Sequence, residues 1–223
     1  MLNKATFTFL SKLTKNNNTE WMNNHRDAYN NCMDDFSDFV QMLINEIAQF
    51  DNDISKSDLK AKDCIPRLNR DLRFSKDKSP YKTYLYAVIS KNGRKSGNAV
   101  YYIVIKPGES GIGAGAFQPE KQILKKLHQE IDFNLKEWLS IVEDKGLLSK
   151  FPEGIISNQY LKKTPKDTEE SNPALKFLKM KDFYVDHHYN DEFFLKKENL
   201  NTIIESYKSA RKLKDFINTA LAE

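Results

Sequence analysis

Six cations fall within residues 65–83: Arg67, Arg70, Arg73, Lys76, Lys78 and Lys82. Two acids, Asp71 and Asp77, accompany them. The surplus of four equals the formal net charge of the whole 223-residue chain, +4, so the remaining residues cancel. A guanidinium is a planar fork that grips phosphate or carboxylate at two points, and an ammonium is a point charge. Tyr81, Ser75, Ser79 and Thr83 add hydroxyls. This density of donors suits a site for a phosphate- or carboxylate-bearing anion, built from the six cations and Tyr81. Two other readings use the same residues. Asp71 and Asp77 are the candidate catalytic groups of an enzyme acting on a phosphorylated or nucleic-acid substrate. Among so many cations they would stay ionised, serving as a weak base or metal ligand rather than as an acid. Alternatively, the acids tie the arginines into a structural network.

A second unusual stretch alternates Gly111, Gly113 and Gly115 with Ile112, Ala114 and Ala116, and then reaches Pro119. As a strand it has one face bare of side chains, which marks close approach by a ring, a ligand or another backbone. As a loop feeding a helix N-terminus it offers backbone N–H groups to an anion. Its spacing matches neither GxGxxG nor a P-loop. The four histidines belong to no spaced His/Cys/carboxylate set, so neither a metal nor a cofactor is expected.

These segments need elements to position them. Phe7, Leu10 and Leu13 predict a helix over residues 5–14, followed by a turn at Asn16-Asn17-Asn18. Thr19 is the candidate N-cap of a long helix striped by Trp21, His25, Tyr29, Met33, Phe36, Val40, Leu43 and Ile47, with a break near His25–Asp27. Residues 51–62 read as irregular. Leu68, Leu72 and Phe74 share one side of a period of two over residues 67–74, which predicts a strand. Arg70 falls on that apolar side and needs a partner. Ser75–Pro80 has loop composition. Strands follow at 83–91 and 99–106, joined through Asn92-Gly93 as a two-residue turn that residues 94–98 lengthen. Helices are expected at 119–131, with Pro119 at its first position, at 134–144 and at 173–179. A second basic segment covers 160–166, and residues 183–189 read as a strand that points His187 and His188 to opposite faces. The chain ends in helices at 200–208 and 213–221 with a kink between. The fold class is therefore α+β. One domain over residues 1–223 carries a mainly antiparallel sheet, from about residues 64–117 and 182–189, packed with N-terminal and C-terminal helices.

Fourteen Phe, ten Tyr and two Trp favour a packed core over disorder. No apolar run approaches 18 residues, so no membrane span or membrane partner is expected. The start lacks the apolar core of a signal peptide. Cys32 and Cys64 form no CxxC and are expected to be reduced thiols of a cytoplasmic protein. The basic balance permits contact with nucleic acid or an anionic small molecule.

Several segments also carry a resemblance. They are FLSKLTKNNNTEWMNNHRDAY, Ala61-Lys62-Asp63-Cys64-Ile65, RDLRFSKDKSPYK, the Tyr101-Tyr102 strand with Lys106-Pro107-Gly108, Phe117-Gln118-Pro119 and LKKTPK. Together they resemble the uncharacterised family called domain of unknown function 2461, over most of the chain. The resemblance implies a single soluble, intracellular, mostly microbial domain. It implies no activity, catalytic residue or cofactor.

Overall fold

The computed structural model describes residues 1–222 apart from Ser96, Asn98, Lys166 and Asp167. Apolar residues spaced by threes and fours build its first helices. Helix α1 (Lys4–Lys15) buries Phe7, Leu10 and Leu13. Helix α2 (Thr19–Asn24) is capped by Asn18, whose side chain accepts the Trp21 N–H at 2.8 Å. Thr19, the expected cap, is instead the first helical residue. The expected break occurs at His25, which leaves helical geometry (φ −121°, ψ 29°) before α3 (Arg26–Ile47) resumes the stripe. His25 stacks on Trp21 at 4.1 Å, and its Nδ1–H donates to the Trp21 carbonyl at 2.8 Å. Phe36, Val40, Leu43 and Ile47 of α3 are buried, and Asp35 accepts from the Asn3 N–H and the Thr6 hydroxyl, which ties α1 to α3. Two short turns of helix follow, α4 (Asn52–Ser55) and α5 (Ala61–Cys64).

Strands β1 (Leu85–Ile89), β2 (Val100–Ile105), β3 (Ser110–Ala116) and β4 (Phe183–Tyr189) form one antiparallel sheet in the order β1-β2-β3-β4. Each strand thus neighbours its successor in sequence. The sheet begins at Leu85, later than expected, because residues 67–74 do not form a regular strand. The tight turn at Asn92-Gly93 is also absent. Gly93 (φ 62°) instead opens a 3-10 turn over Gly93–Lys95 and presses on α5, where a Cβ would lie 2.6 Å from the Asp63 carbonyl oxygen. The expected lengthening over residues 94–98 falls partly outside the described residues, at Ser96 and Asn98.

Beyond β3 the chain forms α6 (Lys121–Phe133), α7 (Leu135–Val142), α8 (Lys145–Lys150) and α9 (Leu175–Leu178). Pro119 is not the first residue of α6. Gln118 turns the chain there with φ 41°, its N–H donating to Asp182 at 2.7 Å, and Glu120 takes the cap position. Trp138 of α7 is buried among Phe177, Phe183 and Phe216, with ring centroids 5.2–5.9 Å away. The second basic segment pairs Tyr160 with Met180, and its last residue, Lys166, lies outside the described residues. Helix α10 (Leu200–Ala222) runs unbroken where a kink was expected, because Tyr207, Ala210, Leu213, Ile217 and Ala220 continue one buried stripe.

The chain divides into two compact units, each assembled from three segments. Unit 1 holds Met1–Lys95, Tyr102–Ile112 and His188–Ile204, with α1 and β1 packed on α3. Unit 2 holds Ser96–Tyr101, Gly113–His187 and Glu205–Glu223, with α9 packed on α6.

Candidate anion-binding site

The cationic stretch is an open hairpin within unit 1. The Arg70 N–H donates to the Pro80 carbonyl at 2.9 Å and the Lys82 N–H to Leu68 at 2.8 Å, so residues 68–70 and 80–82 make a short stem. Residues 71–79 loop out from it. The period of two in this stretch is overridden by side chains that bond the local backbone. The Asp71 carboxylate accepts the Arg73 N–H at 3.2 Å, which bends the chain away from a strand. Leu68 remains buried, but Phe74, expected on the same apolar side, is 96% exposed. Asn17 locks the hairpin to the α1–α2 connection. Its amide accepts from the Tyr81 N–H at 3.1 Å and donates to the Tyr81 carbonyl at 2.9 Å.

The eight charges of the stretch separate into two groups. Arg70 finds its partner in Asp77, and also donates to the Ser79 carbonyl and the Ser75 hydroxyl. Asp77 further accepts the Ser79 N–H at 2.9 Å and its hydroxyl at 2.6 Å. Those Ser79 bonds first, and Arg70 second, hold the Asp77 carboxyl well below the usual carboxylate range. Arg73 clamps Asp71 through Nε at 3.0 Å and Nη2 at 2.6 Å, which keeps Asp71 ionised as well. Lys78 reaches the Leu72 carbonyl at 3.1 Å. This first group builds the loop.

The second group faces outward. Among the described residues, the side chains of Arg67, Lys76 and Lys82 have no carboxylate within ion-pair distance. Lys82 is half-buried and donates to the carbonyls of Arg67 at 2.7 Å and Asn69 at 2.9 Å. Burial, then repulsion from Arg67 and Arg70, pushes its ammonium below the ordinary lysine value. A recess of about 980 Å³ opens here, lined by Arg67, Arg70, Arg73, Lys82 and Arg94 together with the single acid Asp71. A second recess, of about 450 Å³, shares Arg70, Asp71 and Lys82 and adds Asp77, Tyr81 and Tyr84. Lys76 and Lys78 line neither recess.

Arg94 gave no signal within the cationic stretch. It arrives from the β1–β2 connection, and its Nη1 donates to the carbonyls of Lys62, Asp63 and Ile65 at 2.9–3.3 Å. The Asn16-Asn17-Asn18 turn likewise read as a connection only, and the clamp on Tyr81 is a long-range contact. Gly111, Gly113 and Gly115 do not form a loop of free N–H groups. They lie in β3, a strand flanked by β2 and β4, where backbone groups serve the sheet. Gly115 (φ 141°) allows close backbone approach, since a Cβ there would lie 2.2 Å from the Phe183 carbonyl oxygen. Among the described residues no group of three or more His, Cys, Asp or Glu is placed to hold a metal ion. No described helix is long and apolar enough to cross a membrane.

Fold and site together define an α+β protein whose first unit presents a cation-lined hairpin. The family described as "Conserved hypothetical protein (DUF2461)" matches residues 5–216, and the chain belongs to that family. No curated protein and no solved structure matches the chain at a significant level.

Proposed function

We propose that this protein is an intracellular module that binds an anion bearing phosphate or carboxylate groups at the recess beside residues 65–83. One observation carries the reading. Five cations line the recess against one acid, and that acid is already clamped by Arg73. Among the described residues Arg67, Lys82 and Arg94 then have no carboxylate within ion-pair distance, although Asp58 and Asp63 line a neighbouring recess with Arg94. Lys82 feels two like charges while half-buried, an arrangement that an incoming anion relieves. A multivalent anion gains most, because it meets several cations at once. Asp71 and Asp77 support an enzyme less well, because both are held ionised by saturated partners and neither is a proton donor near neutral pH. The intracellular placement rests on two free, buried thiols, which suit a reducing compartment.

The test is thermal unfolding with tripolyphosphate, phosphate and citrate at low and moderate salt. A ligand at a hundredfold excess over its Kd adds about 2.7 kcal/mol, which is readily seen as a rise in Tm. Arg67→Glu reverses an exposed cation that has no side-chain partner among the described residues, so the unliganded Tm should hold or rise slightly, because Lys82 loses a like charge, while the anion-induced rise disappears. If no anion raises the Tm at low salt, the reading fails.

A further inference from the structure

Charge alone does not account for Phe74. Its ring is 96% exposed, at the end of a hairpin that carries Arg73, Lys76 and Lys78 beside it. Phe133 is the other nearly bare phenylalanine among the described residues, at 89%, but its sequence neighbours include Asp132 and Glu130. Tyr160, 54% exposed, also has lysines close in sequence, Lys162 and Lys163, but among the described residues Phe74 is the barest aromatic ring, and it lies within the hairpin that borders the cationic recess.

The recesses narrow the ligand class. Small-molecule pockets are mostly apolar with a few placed polar groups. The larger recess here is as wide as such pockets become, yet its lining is dominated by charge. That is the character of a groove that tracks a charged polymer. Arg70 and Lys82 border both recesses together with Asp71, so a chain that passes from the cation-rich recess into the second, charge-balanced one stays beside these two cations. The second recess adds the rings of Tyr81 and Tyr84. A bilayer surface meets projecting groups, whereas Arg67, Lys82 and Arg94 line a concavity. A duplex hides the faces of its bases, so an exposed ring has nothing there to stack on.

We infer, building on the proposed anion site, that the ligand is single-stranded nucleic acid, with phosphates along Arg67, Arg70, Lys82 and Arg94 and a base stacked on Phe74. Groove cations and open aromatic rings together are the means by which proteins hold unpaired strands without reading sequence.

Fluorescence anisotropy with labelled dT12 and U12, a matching duplex, and vesicles containing phosphatidylserine tests this on the full chain at several salt concentrations. Tripolyphosphate melting is measured in parallel. The single strands should bind best, with a log–log salt slope of about −3 for four neutralised phosphates. Phe74→Ala should keep its Tm and its tripolyphosphate response but bind the strands about tenfold more weakly. Arg67→Glu should weaken both responses. The inference is overturned if the duplex binds as well as the strand, or if Phe74→Ala leaves strand binding unchanged. Vesicle binding that needs Phe74, without strand binding, overturns it in favour of a membrane surface. Tripolyphosphate stabilisation without strand binding removes this inference and leaves the anion site standing, whereas loss of both responses removes the anion site too.

Discussion

At the scale of single residues, the side chains that titrate or react divide by what surrounds them. Cys32 and Cys64 are buried, and burial pushes each thiol up to about 12, so neither is a nucleophile in the native state. Asp71 and Asp77 are exposed, and their partners push them the other way. His128 of α6 is part-buried. Its Nε2–H donates to the Met180 carbonyl at 2.8 Å, and its ring meets Phe183 edge-on at 5.8 Å. Burial lowers its pKa from the ordinary 6.5, more than the Met180 bond raises it. The unfolded chain therefore takes up a proton at a pH where the folded chain does not. The contribution of His128 to stability is fully present above pH 6.5 and is lost as the pH falls toward its lowered folded value. The Tm should fall as the pH drops below 6.5, and His128→Gln, which keeps a donor for Met180, should flatten that fall. Parallel curves for the two proteins would show that the pH dependence arises elsewhere.

At the scale of elements, patterns that rest on burial were legible, and those that rest on long-range partners were not. The α3 stripe and strands β1, β2 and β4 followed from apolar spacing and strand composition, because packing one face is what fixes those elements, whereas the glycine stretch that forms β3 read equally as strand or loop. Residues 67–74 carried the same alternation but no second strand long enough to use it. Asp71 bonds its own backbone, only a short stem pairs, and Phe74 turns outward. The cation cluster was plain in sequence, while Arg94 and Asn17 reach it from distant segments that no local pattern links. For β3 the bare glycine face signalled close approach, and at Gly115 the neighbour is the backbone of β4. Gly115→Ala should cost about 3 kcal/mol or more, because the new methyl meets backbone atoms and the residue keeps an unfavourable φ. Gly108 also has positive φ (80°), but a Cβ there would meet no atom within 4 Å, so Gly108→Ala should cost only about 1 kcal/mol of strain. Urea unfolding of the two variants measures the difference, and equal losses would mean that close packing on β4 is not what holds Gly115.

At the scale of the whole molecule, the question is whether the two units are separate folding bodies. Four of their five boundaries fall inside β2, β3, β4 and α10, and the fifth lies in the β1–β2 connection. Independent domains are normally separated by exposed connections that few interactions cross. A strand or helix cut at such a boundary would lose hydrogen bonds of its own, so we propose that the chain behaves as one cooperative domain. The protein carries its own reporters, since its two tryptophans fall one in each unit. Trp21, half-buried beside Phe9 at 5.8 Å, reports on unit 1, and Trp138, at the centre of an aromatic cluster, reports on unit 2. In the variant Trp138→Phe all tryptophan emission comes from Trp21, and in Trp21→Phe it comes from Trp138. Within each variant, the urea midpoint by fluorescence should coincide with the midpoint by far-ultraviolet circular dichroism, which reports on all helices together. A tryptophan midpoint that departs from the circular dichroism midpoint in either variant would make that unit a body that unfolds by itself. The hairpin of residues 65–83 would then depend for its stability on unit 1 alone. Coincident midpoints mean that substitutions in the unit 2 core, such as at Phe183 or Phe216, weaken anion binding only by lowering the fraction of folded protein.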